Sequence, residues 1–119
     1  MNQQVVTQRP LTREEYDLTR WMLEHGVPGA KDFLLQLEKA SATTLRCPCG
    51  CASFDLSIEG HESPSGPMRI LADFVFGGDT DLCGIFVWEQ NGALAGVEVS
   101  GYAVDAPQHL PSCESLRLA

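Results

Sequence analysis

Basic residues are scarce in this sequence. Eight Lys and Arg stand against sixteen Asp and Glu, giving a formal net charge of −8 that is spread along the chain. A phosphate backbone rewards clustered cations, so this balance excludes nucleic acid as an expected partner and favours a basic protein surface or a metal cation. Long hydrophobic runs are also missing. None approaches the ~20 apolar residues of a membrane-spanning helix, and the start, "MNQQVVTQRP", lacks the apolar stretch of a secretory signal. The expected location is therefore the cytoplasm, with no membrane role. There is no low-complexity tract and no internal repeat. Recognised catalytic signatures are absent as well: no G-x-S-x-G elbow occurs, and "GGD" follows a strand pattern with no helix pattern after it, so it is not a phosphate loop. The chain leans away from an enzyme. Cysteine is present in an odd number, five, which excludes complete pairing into disulfides within one chain and fits a reducing compartment.

What is there describes one α+β domain over residues 1–119, of which 44% are hydrophobic. Residues 1–10 read as a flexible terminus. Residues 12–40 read as a helical pair. In "LTREEYDLTRWMLEHG", Thr12 and Glu15 have the spacing of a capping box, Leu18, Trp21, Met22 and His25 follow helical periodicity, and Gly26 stops the helix. His25 then falls where a helix-end residue meets the last carbonyls. A second helix is expected after "VPG", with Ala30, Phe33, Leu34, Leu37 and Ala40 on its apolar side.

The period changes to two over residues 42–101, which read as an antiparallel meander of four or five strands with the helices on one face. "ATTLR" is a candidate hairpin partner for the alternating stretch Ser53 to Glu59. Met68 to Phe76 reads as a strand with Met68, Ile70, Ala72, Phe74 and Phe76 on one side and Arg69, Leu71, Asp73 and Val75 on the other, Arg69 being the natural partner for Asp73. Asn91-Gly92 is the dipeptide of a two-residue hairpin turn. Pairing Gln90 with Ala93 then sets Phe86 against Val97, Trp88 against Ala95 and Ile85 against Glu98. In that register Ile85, Val87 and Leu94 lie on the uncovered face. They form the expected interaction surface, through which a homodimer or another protein would associate. Residues 102–119 read as an irregular connection and a short helical turn capped by Ser112.

One stretch carries candidate chemistry. In "LRCPCGCAS" Cys47, Cys49 and Cys51 recur at every second position with Pro48 and Gly50 between them, and a bend there would bring the sulfurs together. Zinc, the metal such thiolates take, needs a fourth ligand, for which His61, Cys83 and Cys113 are the candidates, with His25 and His109 behind them. Alternatively, Cys49 and Cys51 could cycle as a strained dithiol, or the cysteines could simply pack. "CPCG" is similar to the opening of the SEC-C zinc motif, although "LSIEGH" stands where that motif has its closing Cys-Cys or Cys-His pair. Taken together, "LTREEYDLTRWMLEHG", "RCPCGCASFDLSIEG", "MRILADF", "GALAGVEVSGYAVDAP" and "LPSCESLR" resemble a family of small single-domain bacterial proteins of uncharacterised function. The resemblance implies a bacterial cytosolic protein and brings no catalytic residue. Cys113 stands where it leads one to expect proline.

Overall fold

Thr12 opens the first helix, α1 (Arg13–Glu24), in the manner its spacing predicts. Its hydroxyl accepts the Glu15 amide at 3.0 Å while the Glu15 carboxylate accepts the Thr12 amide at 2.9 Å, so two amides that α1 leaves without partners are satisfied reciprocally. The same carboxylate receives both terminal nitrogens of Arg9 at 2.7 and 2.8 Å. At the other end the His25 ring stacks on Trp21 at 4.2 Å, with Nδ1 2.8 Å from the Trp21 carbonyl. The structure, a computed structural model, describes residues 8–43, 50–59 and 66–119.

The second helix is shorter than its apolar spacing suggests. A 3-10 turn over Ala30–Phe33 runs into α2 (Leu34–Leu37), a single α-helical turn. No side chain caps either piece. Ala40, expected to close the helical stripe, instead opens a strand, because "ASAT" finds backbone partners in the sheet and buries Ala42 completely there.

Among the described residues seven antiparallel strands make the sheet: β1 (Gln8–Pro10), β2 (Ala40–Thr43), β3 (Phe54–Ile58), β4 (Met68–Phe76), β5 (Cys83–Gln90), β6 (Ala93–Gly101) and β7 (Arg117–Leu118), in the order β1-β2-β3-β6-β5-β4-β7. The α+β class stands, but the sheet is not the expected meander of four or five strands. β3 lies against β6 and not against β4, the Greek-key order. The two additional strands are short edges. Residues 8–10, assigned to a flexible terminus by the sequence reading, pair with β2, and the last residues pair with β4. Between them and β6, the turn over Cys113–Ser115 is present, with the Ser112 carbonyl and not its side chain accepting from Ser115.

The hairpin of β5 and β6 turns where expected. Asn91 and Gly92 have φ of 51° and 82°, the left-handed pair that a type I′ turn requires, and Gln90 pairs with Ala93. Glu89 pairs with Leu94, and then the register slips: Trp88 faces Gly96, leaving Ala95 as an extra residue in β6. A second bulge sits beside it in β4, where Ile70 faces Trp88 but Ala72 faces Val87, so that Leu71 is extra. One inserted residue moves every later side chain to the other face. Phe86 therefore faces Glu98, and Ile85 faces Val99. Ile85, Val87 and Leu94, expected on an exposed interaction surface, are each 0% exposed and belong to the core with Leu18, Met22, Leu23 and Phe74.

The helical layer is fastened to the sheet at both bulges. Val27, just after α1, donates to the carbonyl of the extra residue Leu71 at 2.9 Å, and Trp21 packs on Phe74 with ring centres 5.2 Å apart. Gln36 of α2 spans the hairpin tip: its amide nitrogen donates to the Gly92 carbonyl at 2.7 Å and its oxygen accepts the Leu94 amide at 2.9 Å. Glu89 closes the tip by accepting the Gly92 amide at 2.9 Å. Arg69 lies 3.5 Å from Glu89, so it serves this clamp and not Asp73.

A candidate interaction face on the open side of the sheet

With the apolar side chains of β3 to β6 turned toward the helices, the opposite face is left to the residues between them. Across the sheet they form ordered rows. In one, Glu98 of β6, Phe86 of β5 and Asp73 of β4 stand directly opposite one another; in the next, Asp55 of β3, Gly96, Trp88 and Ile70 do so. The third contains Ser100, Gly84, Val75 and, at the β7 edge, Arg117, whose guanidinium donates to the Gly77 carbonyl at 3.0 Å.

Aromatic rings pave this face. A side chain at Gly96 would meet the Trp88 indole at 2.3 Å, and one at Gly84 would meet the Tyr102 hydroxyl at 2.5 Å. Each glycine thus lets a ring lie flat over the backbone, the arrangement that shields a strand glycine from water. Tyr102 is held there by its amide, which donates to the Leu82 carbonyl at 3.1 Å. Phe86 lies between the two, its ring centre 5.8 Å from that of Trp88 and tilted by 59°. The paving is reached by solvent: Phe86 and Trp88 are half-buried, Ile70 is 40% exposed and Tyr102 60% exposed.

Carboxylates flank the rings, and among the described residues none is ion-paired. Among the described residues the ion pairs are Arg9 with Glu15, Arg13 with Asp17, Arg20 with Glu24 and Arg69 with Glu89; Asp55, Asp73 and Glu98 take part in none. Burial raises the Glu98 carboxyl above its ordinary range, the nearby Asp55 charge raises it further, and a hydrogen bond from Ser53 only partly offsets them. The half-buried Glu98 and the exposed Asp55 beside it, with no ion pair among the described residues, are poised to gain from a cation. A guanidinium is the best-fitting ion, because it can lie on an aromatic face and pair with a carboxylate at the same time.

The cysteine reading fares differently. Cys47, Cys49 and His61 lie outside the described residues. Cys51 is buried, with its thiol 3.2 Å from the Ser53 hydroxyl, which in turn accepts the Val99 amide at 2.8 Å. Cys83 is buried at the start of β5 and donates to the Asp81 carbonyl at 3.4 Å. Cys113 is half-buried in the C-terminal turn. Among the described residues no group of three or more His, Cys, Asp or Glu side chains could hold a metal ion, and none of their helices is long and apolar enough to cross a membrane.

No protein-family model, curated protein or solved structure matches this chain. Trp88, Phe86, Tyr102 and Ile70 were not singled out by the sequence reading as a surface. Their signal was the pair of glycines inside strand patterns, Gly84 and Gly96, since a glycine there marks a bulge or a close approach.

Proposed function

We propose that the protein is a non-enzymatic binding module whose open sheet face takes a basic segment of a partner protein. The observation that carries this reading is the aromatic paving of Trp88, Phe86 and Tyr102 bordered by Asp55, Asp73 and Glu98, with no cation among the described residues paired to them. Aromatic and aliphatic groups supply contact area, while the carboxylates supply attraction and select against acidic surfaces. The net charge of −8 works in the same direction by drawing basic molecules in from a distance. A second copy of the chain is disfavoured as the occupant, since it would set carboxylates against carboxylates.

The test uses Trp88 as its own reporter. In a Trp21→Phe background it is the remaining one of the two tryptophans, and titration with an oligo-arginine peptide at low salt is expected to change its emission, whereas an oligo-glutamate peptide is not. Replacing Asp73 and Glu98 by their amides should weaken binding at least ~10-fold, about 1.4 kcal/mol. Replacing Cys47 and Cys49 by Ser should leave it unchanged. An oligo-arginine peptide that fails to bind, or whose binding ignores the carboxylates, would remove the proposal. Loss of binding on changing Cys47 and Cys49 alone would move the function to the cysteine segment.

A further inference from the structure

We infer that the segment held by this face is a polyproline II stretch with arginines three residues apart, one guanidinium beside Glu98 and Asp55 and the next beside Asp73, with the chain crossing over Phe86. This rests on the basic-partner reading above and specifies the partner's conformation and spacing.

Three observations carry it. The first concerns what a sheet face can offer. Its backbone groups are engaged in the ladder, so a bound segment must leave its own amides and carbonyls with water or bond them internally. Polyproline II keeps its backbone solvated and a helix bonds its own, but an added β-strand needs a free edge. The edge of β4 is occupied by β7 at Phe74 and Val75 and by Val27 at the Leu71 carbonyl. Strand addition along that part of β4, beside Asp73, is thereby closed off.

Spacing is the second. Glu98, Phe86 and Asp73 are directly opposite on three consecutive strands, which sets the two carboxylate-bearing positions about 9.5 Å apart, two interstrand spacings. Polyproline II advances about 3.1 Å per residue and repeats every three, so side chains on one edge recur at about 9.3 Å. Side chains on one side of a helix recur at about 5 to 6 Å and, two turns on, at about 10.5 Å. The polyproline II repeat is the closer match.

The third is the ridge between the carboxylates. Phe86, with Trp88 and Tyr102 on either side along β5, offers flat apolar surface at the middle of the span. Proline rings pack on such aromatic ledges, and a stretch that is already extended loses little entropy on binding.

The experiment compares three probes of equal charge: a peptide of Arg-Pro-Pro repeats, its isomer with all arginines in one block followed by the prolines, and an alanine-based helical peptide with arginines on one face. Each is titrated against the Trp21→Phe protein and against Asp73→Asn and Glu98→Gln variants, whose folding is checked by circular dichroism. The repeat peptide is expected to bind about tenfold tighter than either of the others. That preference should disappear in both variants, because each removes one end of the span. Equal binding of the three probes, or a preference for the helix, would overturn the inference while leaving the basic-partner reading in place. Failure of all three to bind would remove both.

Discussion

Glu15 and Glu98 sit on opposite sides of the sheet, and their surroundings act on them in opposite senses. Burial alone would raise the Glu15 carboxyl, but the Arg9 guanidinium and the Thr12 amide and hydroxyl outweigh it and hold Glu15 below its ordinary value of 4.5. The folded state therefore favours the charged form. Its contribution is complete above the ordinary value and disappears as pH falls through the depressed one. Glu98 behaves in the reverse way: burial and Asp55 raise it, so the stability it contributes is present below 4.5 and lost as pH rises through the raised value. Denaturation followed from about pH 3 to pH 8 should separate them. Glu15→Gln is expected to destabilise at neutral pH by about 2 kcal/mol, since it weakens charge-assisted bonds to Arg9, and to flatten the acid limb. Glu98→Gln should leave that limb intact and raise stability at neutral pH. A Glu98→Gln protein less stable than wild type at neutral pH would contradict the assignment.

The two bulges decide what β4, β5 and β6 show to solvent, and they account for the main difference between sequence and structure. The capping box of α1, the Asn91-Gly92 turn and the limits of β4 were all legible, because each rests on local chemistry: a side chain that accepts a specific amide, a left-handed backbone pair, a stretch of β-prone residues. A bulge leaves a weaker mark: a strand glycine such as Gly96 signals a bulge or a close approach without saying which residue is extra. Adding Ala95 or Leu71 to a strand of similar residues alters neither composition nor propensity, yet it reverses which face holds Ile85 and which holds Phe86. The short strands β1 and β7 escaped for another reason, since two or three residues are too few to show a period of two. Deleting Ala95 should restore the unbroken hairpin register and drive Phe86 and Trp88 toward the helices. The expected result is loss of cooperative unfolding, with exposed apolar surface detected by dye binding. Gly96→Ala should be milder: its methyl would fall within 2.8 Å of several indole atoms, so Trp88 must swing away, changing its emission and weakening peptide binding while the melting transition stays cooperative.

Across the molecule most described cations lie away from the open face. Arg9, Arg13, Arg20, Lys31 and Lys39 belong to β1, the helices and the segment that follows them, where three of the five are paired with carboxylates, whereas the open face carries Asp55, Asp73 and Glu98, with Arg117 of β7 at its edge donating to the Gly77 carbonyl. Attraction between that face and a basic peptide should be screened by salt. Affinity for oligo-arginine is expected to fall steadily between about 0.01 and 1 M ionic strength, as the Debye length contracts from about 30 to 3 Å. Insensitivity to salt would point to aromatic contact alone. Gln36 connects the two sides, and its bond to Leu94 offers a way to watch them together. In the Glu89–Leu94 pair, the second from the turn, that amide is directed away from β5, so its protection from hydrogen exchange depends on α2 remaining docked and not on the hairpin ladder. Its exchange rate is thus a one-residue gauge of helix lift-off. Measured with and without a peptide on the paved face, it would report whether loading one side of the sheet tightens the layer on the other.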